Sequence, residues 1–134
     1  MAILEYQGKI LFTIRAKNPA KDKLDFPGGF IDPGENAEMA IEREIKEELD
    51  IQDLQFTYLG SAANNYEYKD IIYSTCDLIF TAIIKSLPRD FQRSEIKDIV
   101  LLNVNEIKYY NLAFPSVKRG IELYLNKLSV TTQQ

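Results

Sequence analysis

Apolar and polar residues alternate in short runs at the start of the chain, which predicts β-strands. Two strands are expected at Ala2–Tyr6 and Lys9–Arg15, with a tight two-residue turn between them. After a polar loop, a short apolar strand is expected over Leu24–Ile31. Pro27 and two glycines interrupt that strand, so we expect a bend and a close approach of the backbone there.

The apolar period then changes to that of a helix. A helix is expected over Ala37–Leu49, with Asn36 as its N-cap and a Pro-Gly turn before it. Its core-facing stripe is predicted to consist of Ala37, Ile41, Ile45 and Leu49.

The second half of the chain predicts a long hairpin followed by a strand and a helical turn. The hairpin strands are expected at Leu54–Ala62 and Ile71–Lys85, connected through the region of residues 64–65. A further strand is expected at Ile99–Val104 and a helical turn at Asn105–Tyr110.

The last segment predicts an amphipathic helix that ends in a frayed tail, Thr131–Gln134. Ser116 is expected to cap this helix at its start. Its apolar side is predicted to consist of Val117, Ile121, Leu125 and Leu128. The order of elements predicts the α/β class, with a mixed sheet between helices.

Length and composition are those of one globular unit. The 134 residues, 46% of them hydrophobic, are expected to form a single domain over 1–134. No apolar run reaches the roughly 18 residues of a membrane span and no signal peptide opens the chain, so we expect a cytoplasmic protein without a membrane partner. The chain opens almost directly in a strand. Either it begins that way, or it is a domain cut from a longer chain at its N-terminus.

The absence of histidine restricts the possible chemistry. With no His and one cysteine, Cys76, the chain excludes Ser–His or Cys–His nucleophilic catalysis, an internal disulfide and a Cys/His zinc site. Carboxylates must therefore carry any acid–base chemistry. Cys76 lies in a β-rich apolar stretch and is expected to fill the core.

The charge balance bears on the partner. The net charge is −4 and no long basic run is present, which argues against binding of long nucleic acid. An acidic protein can still bind an anionic substrate if metal ions reverse the local potential.

Three glutamates of the expected helix converge on one surface. Glu44, Glu47 and Glu48 are related by i, i+3 and i+4, in the last turns, where the helix dipole disfavours negative charge. A hard cation such as Mg²⁺ would compensate, because it prefers carboxylate oxygens. The alternative is a solvated acidic face, which the i, i+4 pair of Arg43 and Glu47 would also support.

The spacing around these glutamates decides between the two interpretations. Residues 29–51 read GFIDPGENAEMAIEREIKEELDI, with Gly29, Glu35 and then Arg43 to Glu48 at fixed intervals. This resembles the signature of the Nudix hydrolases, G-x5-E-x7-R-E-U-x-E-E-x-G-U with U an apolar residue. It departs from it only at Asp50, where the family has glycine in a left-handed helix end, a conformation that Asp tolerates better than most residues.

The resemblance implies a Nudix-type α/β/α sandwich and hydrolysis that requires Mg²⁺ or Mn²⁺. It implies Glu44, Glu47 and Glu48 as metal ligands, one of which, or a neighbour, would deprotonate the attacking water. The main-chain carbonyl of Gly28 would add a ligand. Arg43 would pair with Glu35 and orient the glutamates. A further loop carboxylate would be Glu95 or, second, Asp98; plain solvated loop charge is the alternative for each.

The resemblance and the chemistry of side chains suggest substrate contacts. Tyr66 and Tyr68 could stack on a base or simply pack under the hairpin. Phe26 could line the pocket or belong to the core, and Arg15 and Lys23 could contact phosphate or be solvated.

The leading functional hypothesis is hydrolysis of a diphosphate bond in a small nucleotide-type substrate. The stretch NNYEYKDIIYSTCDLIF resembles the branch that cleaves NADH, ADP-ribose or dinucleotides, although that branch's SQPWPFP signature is absent. The alternatives are a nucleoside triphosphate pyrophosphatase that sanitises the nucleotide pool and a non-catalytic, nucleotide-sensing Nudix domain. The sequence leaves open whether the protein is a monomer or a homodimer.

Overall fold

The computed structural model describes residues 1–133, with side chains described through residue 130. Two α-helices, six strands and a 3₁₀ turn are found in this part of the chain. The strands are β1 (Ala2–Tyr6), β2 (Lys9–Arg15), β3 (Leu24–Asp25), β4 (Thr57–Tyr68), β5 (Ile71–Ile83) and β6 (Ile96–Leu102). The helices are α1 (Ala37–Leu49) and α2 (Pro115–Gln133), and the 3₁₀ turn is Val104–Tyr109.

All six strands form one mixed sheet in the order β3-β2-β1-β5-β4, with β6 paired to β2. The β1–β5 pair is parallel, whereas the other pairs are antiparallel. Since β1 and β3 pair with successive parts of β2, they share one edge of it, and β6 occupies the other. The expected mixed sheet is confirmed.

Each face of the sheet is covered by one helix, because successive residues of the central strands are buried on opposite faces. Ile3 of β1 belongs to the core on the α2 side, while its neighbours Ala2 and Leu4 belong to the core on the α1 side. Helix α1 contributes Ile41, Ile45 and Leu49, so its predicted stripe lies in the core, apart from Ala37 at its margin. The α/β/α sandwich is therefore present.

The hairpin differs from the sequence prediction. Strand β4 runs through residues 64–65, which were expected to be the connection, and ends at Tyr68. The turn consists of Lys69 and Asp70, both with positive φ as a two-residue hairpin turn requires. The turn preference of Asn predicts a connection at Asn64 and Asn65. Eleven residue pairs between β4 and β5 instead extend the strand through both residues.

The final helix is also displaced from its prediction. It begins at Pro115, so Ser116 lies inside its first turn rather than at the cap. Its buried side includes Val117, Gly120 and Tyr124, whereas Leu125 and Leu128 of the predicted stripe are exposed. The tail expected to fray is helical through Gln133, and Gln134 lies outside the described residues.

Three smaller differences from the sequence prediction concern the limits of β3 and β6 and the position of Cys76. Strand β3 covers only residues 24–25 of the predicted 24–31, because the Pro-Gly-Gly segment leaves the sheet. Strand β6 begins at Ile96, three residues before its prediction. The core assignment of Cys76 is wrong: its side chain is exposed, since this part of β5 lies beyond the residues that pair with β1.

The end of α1 agrees with its expected geometry. Asp50 has φ 54° and ψ 40°, a left-handed conformation, and its N–H donates to the Lys46 carbonyl at 3.0 Å. At the other end, the Asn36 side chain accepts from the Met39 N–H, as expected of the N-cap. Within the described residues, no helix has both the length and the apolar character needed to cross a bilayer.

Candidate active site

The main cleft lies where β5 extends beyond β1. The two strands pair only from Ala2 opposite Phe80 to Glu5 opposite Ile83, so the earlier residues of β5 have no β1 neighbour. A cleft of about 420 Å³ opens there. It is lined by α1, the loop after β3, the β4–β5 hairpin and Phe114, which precedes α2. Because the two helices cover opposite faces, the cleft passes across the edge of the sheet from one helix to the other.

Arg43 links the loop before α1 to the glutamates of the helix. Its guanidinium donates to Glu35 through Nε (2.7 Å) and Nη2 (2.9 Å), the bidentate geometry that suits a carboxylate. Its Nη1 donates to Glu44 at 2.9 Å and to Glu47 at 3.2 Å, and its Nη2 donates to the Phe30 carbonyl at 3.0 Å. The predicted pair of Glu35 and Arg43 is present in the structure, and Arg43 also orients two of the three predicted metal ligands.

The glycines after Pro27 allow the backbone to approach the glutamates. A Cβ on Gly29 would lie 2.5 Å from the Glu44 carboxylate, so any other residue here would require that side chain to shift. The Gly28 N–H donates to Glu48 Oε2 at 2.9 Å, which fixes that carboxylate against the loop. The predicted ligand role of the Gly28 carbonyl remains a prediction.

Glu48 is the most strongly perturbed of the three glutamates. Burial raises its pKa to about 8; the Gly28 N–H opposes this shift, and the nearby carboxylates of Glu44, Asp25 and Glu95 add to it. The pKa of Glu44 is raised as well, mainly by burial, although Arg43 opposes that shift. A buried carboxylate among other carboxylates is stabilised most effectively by a cation.

The donor set suits a hard divalent cation. Glu44, Glu47 and Glu48 supply only carboxylate oxygens, the ligands that Mg²⁺ and Mn²⁺ prefer. Among the described residues, no three acidic, His or Cys side chains already stand as a closed metal cluster. The reason is visible in the contacts, since Arg43 holds Glu44 and Glu47 while Glu48 is turned to Gly28. The chemistry of the residues fits the metal, and the side chains would have to turn toward it.

The two candidate loop carboxylates lie in different surroundings. Glu95 is close enough to Glu48 to raise the pKa of that residue, and its carboxylate receives a hydrogen bond from Lys17 Nζ at 3.1 Å. Asp98 is exposed and accepts from its neighbour, the Ile99 N–H, at 2.8 Å. Proximity to Glu48 therefore favours Glu95 over Asp98.

The predicted substrate residues separate into two groups. Arg15, Phe26 and Tyr66 line the cleft. Tyr68 is half-buried outside the lining, with Lys69 Nζ 5.4 Å from its ring, and Lys23 is exposed outside it. Phe26 is also a core residue, stacked on Phe12 with 4.9 Å between ring centroids. It therefore both lines the cleft and belongs to the core.

Arg15 is held at the cleft by a buried carboxylate. Its Nη1 donates to Asp25 Oδ2 at 2.9 Å, its Nε donates to the Pro19 carbonyl at 2.8 Å, and its guanidinium lies 5.0 Å from the centre of the Phe114 ring. Burial raises the pKa of Asp25 to about 6, with Arg15 opposing the shift. Phe114 in turn packs on Tyr66 at 4.9 Å between centroids, which gives the cleft a continuous aromatic and cationic wall.

Among the lining residues that the sequence analysis missed are Asp25, Asn64, Asp77 and Phe114. Asp25 was visible as an acidic residue inside an apolar strand, which signals a buried partner. Asn64 had been assigned to a turn. No local signal marks Asp77 or Phe114, because their contacts come from distant parts of the chain.

Comparisons with known proteins agree with this geometry. A stretch of 46 residues is 50% identical to the ADP-ribose pyrophosphatase of Methanocaldococcus jannaschii, covering 34% of this chain and 27% of that protein. The chain thus spans about a quarter of that relative's length in the match.

Two solved structures illustrate the similarity of fold. One is the Nudix domain of Shewanella oneidensis NrtR complexed with ADP ribose, with a TM-score of 0.78, 22% identity, and coverage of 95% of this chain and 84% of that one. The other is a bifunctional NMN adenylyltransferase/ADP ribose pyrophosphatase from Francisella tularensis complexed with AMP and a Mn ion. It has a TM-score of 0.69, 21% identity, and coverage of 94% and 40% of the two chains.

The model of the Nudix domain family matches residues 1–123, nearly the whole chain. The match includes the loop after β3, helix α1, the hairpin and the first half of α2, which are the elements that build the cleft. This chain belongs to the Nudix family.

Proposed function

We propose that this protein is a pyrophosphohydrolase that requires Mg²⁺ or Mn²⁺ and cleaves the diphosphate bond of a nucleoside diphosphate linked to another group. The observation that carries the proposal is the arrangement around Arg43, which joins Glu35, Glu44 and Glu47, with Glu44 lining the cleft and the half-buried Glu48 on the same helix. Arg43 orients Glu44 and Glu47 of one helix, Glu48 of the same helix is held by the Gly28 N–H, and the repulsion among the three carboxylates calls for a cation.

The substrate class rests on the similar proteins. The relative in M. jannaschii is an ADP-ribose pyrophosphatase, and two structures with the same fold were obtained with ADP ribose or AMP. The Mn ion in one of them supports a divalent metal. ADP-ribose, NADH and dinucleotides are therefore the substrates that we propose, ahead of nucleoside triphosphates.

Within the reaction, Glu44, Glu47 and Glu48 would hold the metal. When bound, the divalent ion neutralises the diphosphate and lowers the pKa of a water molecule. One of these glutamates, or a neighbouring carboxylate such as Glu95, accepts a proton from the water that attacks phosphorus. The products are two phosphorylated fragments.

Arg43 and Glu35 act on the reaction through the glutamates. The fork of Arg43 holds Glu44 and Glu47, while Glu35 fixes the guanidinium in place. The loop carboxylate Glu35 also accepts from the Asp32 N–H at 2.9 Å, so the loop and the helix are joined into one support. Such support orients the metal ligands and keeps their charges apart before the metal binds.

In another part of the cleft, the lining residues Tyr66 and Phe114 form an aromatic cluster with Tyr73, which a base could extend by stacking. Stacking on an aromatic side chain depends little on which base is present. Arg15 adds a fixed positive charge close to the same wall, which suits a phosphate or a ribose-linked group.

A substrate panel tests the proposal. ADP-ribose, NADH, a diadenosine dinucleotide and ATP are incubated with the purified protein and Mg²⁺ or Mn²⁺, and the products are separated by chromatography. We expect AMP from ADP-ribose, with Glu48→Gln at least a hundredfold slower. Glu42→Gln, a change at an exposed glutamate on the same helix, is the matched control and should keep the full rate. Preferred conversion of ATP to AMP and pyrophosphate would instead favour a triphosphate pyrophosphatase, and turnover of no substrate would contradict the proposal.

A further inference from the structure

We propose that Asp77 recognises an exocyclic amino group on the base of the substrate and thereby sets the base specificity of the cleft. This inference rests on the proposed function for the statement that the ligand is a nucleotide. It concerns the hairpin wall of the cleft, defined here as Asn64, Tyr66, Thr75 and Asp77, rather than the glutamates of α1.

The hairpin wall is one face of the β4–β5 pair. Asn64 and Tyr66 are two residues apart on β4, and they lie opposite Thr75 and Tyr73 of β5. Asp77 lies opposite Ala62, on the same face. The carboxylate of Asp77 is therefore on the same side of the hairpin as the Tyr66 ring.

One oxygen of Asp77 is fixed and the other is available. Asn64 Nδ2 donates to Asp77 Oδ2 at 2.7 Å. The second oxygen, Oδ1, accepts no hydrogen bond from any residue that the structure describes, and the side chain is only half-buried in the cleft lining. The ammonium group of Met1 is nearby, but it donates to the Leu78 carbonyl at 2.8 Å. The Oδ1 atom thus belongs to a carboxylate of the cleft lining that is held through its other oxygen and accepts no hydrogen bond of its own from the described residues.

Asn64 is itself held by the start of α2. Its side chain is 5% exposed; Oδ1 accepts from the Ser116 N–H at 2.9 Å, and Nδ2 also donates to Ser116 Oγ at 3.0 Å. Phe114, the residue before the helix, has no side-chain acceptor, so Asn64 supplies the cap from a distant strand. Asn64 is consequently a positioning residue, since the same amide that caps α2 also orients Asp77.

The chemistry of this wall selects the ligand group. An ionised carboxylate only accepts hydrogen bonds, so its partner must be a donor. A phosphate is not the partner of Asp77 itself, because it presents acceptors rather than donors and because Asp77 and the nearby Asp25, close enough for Asp77 to raise its pKa, would repel it. The donor must therefore belong to a neutral part of the substrate.

The adjacent rings indicate which neutral part it is. Tyr66 packs between Phe114, 4.9 Å away between centroids, and Tyr73, 5.3 Å away, and both Tyr66 and Phe114 belong to the lining, so a flat heterocycle can extend this aromatic cluster. A base that stacks there presents its edge rather than its face to a side chain of the same wall. An exocyclic amine on that edge, as in adenine or cytosine, donates to a carboxylate, whereas a carbonyl at the same position is repelled.

Binding of nucleoside monophosphates tests the inference without requiring turnover. AMP and IMP differ at the six position, which is an amine in AMP and a carbonyl in IMP. Their dissociation constants are measured by calorimetry for the wild type, Asp77→Asn and Asp53→Asn, without metal. Asp53 is an exposed residue outside the cleft, so Asp53→Asn matches the change in charge. The Asp77→Asn side chain keeps an oxygen for Asn64 but can present an N–H to the ligand.

We expect the wild type and Asp53→Asn to bind AMP roughly tenfold or more tightly than IMP, because IMP places a carbonyl where AMP has its amine and its N1–H donor lies one ring position away. Asp77→Asn should remove or reverse that preference, while its thermal unfolding stays close to that of the wild type. Equal binding of AMP and IMP by the wild type, an unchanged preference in Asp77→Asn, or binding of neither nucleotide would overturn the inference.

The same variants separate this inference from the proposed function. If no diphosphate is hydrolysed but the AMP preference depends on Asp77, the proposed function fails and the inference stands. If ADP-ribose is hydrolysed but base preference does not depend on Asp77, only the inference fails.

Discussion

Arg43 and Glu35 form a two-bond ion pair across the turn that leads into α1, with Nε 2.7 Å from Oε2 and Nη2 2.9 Å from Oε1. The two residues are eight positions apart, and the side chains of Glu44 and Glu47 contact the same guanidinium. The loop and the helix therefore cannot move independently without breaking several charge-assisted hydrogen bonds. This relationship explains why the glutamates are oriented even though they repel one another.

Arg43→Lys should damage the site although it keeps the positive charge. A lysine ammonium cannot reproduce the fork, so at least one of Glu35, Glu44 and Glu47 loses its partner. We expect kcat to fall roughly tenfold to a hundredfold and the free energy of unfolding to fall as well. Arg119→Lys, at an exposed pair with Glu122 on α2, is the control and should change neither quantity. The two quantities are measured by steady-state kinetics and denaturant unfolding. If both kept their wild-type values in Arg43→Lys, the hydrogen bonds of the guanidinium to the glutamates would not be required.

The metal-free stability should depend on pH through Glu48. Its pKa in the folded protein is about 8, above the ordinary value of 4.5, so between these values the native state keeps a proton that the unfolded state has lost. The free energy of unfolding therefore falls as pH rises through this window.

Glu48→Gln removes that dependence, because glutamine stays neutral. In EDTA, we expect the Tm of the variant to exceed that of the wild type by several degrees at pH 8.5, and by clearly less at pH 5.5. Glu42→Gln, at an exposed position of the same helix, should show the same change of Tm with pH as the wild type. A Tm difference that does not grow with pH would mean that Glu48 is not held neutral in the folded protein.

The left-handed residue at the end of α1 can be tested independently. Asp50→Gly should leave the free energy of unfolding unchanged or raise it slightly, since glycine adopts φ 54° without steric cost. Asp50→Ala should lower it slightly, because alanine keeps the disfavoured Cβ and lacks the short polar side chain that makes Asp more tolerant of this conformation. Denaturant unfolding of both variants provides the comparison, and greater stability for the alanine variant would contradict the assignment.

Sequence information was sufficient for features whose causes are local. The α1 stripe, the Asn36 cap, the turn between β1 and β2 and the grouping of the glutamates follow from residues a few positions apart. The left-handed conformation of Asp50 was instead expected from the resemblance to the family signature, which has glycine at this position.

The hairpin wall could not be found in this way. Asn64 contacts Asp77 and Ser116, which are 13 and 52 residues away, so its burial depends on how β4, β5 and α2 meet. In sequence the Asn pair favours a turn, and only tertiary pairing makes it a strand. Cys76 was misplaced for a related reason, because the length of β1 decides how far β5 is covered and the sequence of β5 does not contain that information.

The aromatic wall gives a prediction for substrate affinity. Tyr66→Ala should raise KM for ADP-ribose roughly tenfold, equivalent to about 1–3 kcal/mol of stacking, while Tyr66→Phe should change it little because stacking uses the ring. Tyr68→Ala is the matched control, since Tyr68 lies outside the cleft lining. If Tyr68→Ala raised KM and Tyr66→Ala did not, the wall would be wrongly assigned.

The central claim is that clustered glutamates of α1 bind a divalent metal that hydrolysis requires. The most direct measurement is the initial rate of AMP formation from ADP-ribose by the wild type and Glu48→Gln, first in excess EDTA and then with Mg²⁺ restored. The account predicts no turnover in EDTA, recovery of the wild type with Mg²⁺, and a rate for Glu48→Gln at least a hundredfold lower under the same conditions. Full turnover in EDTA, or a wild-type rate for Glu48→Gln, would contradict it.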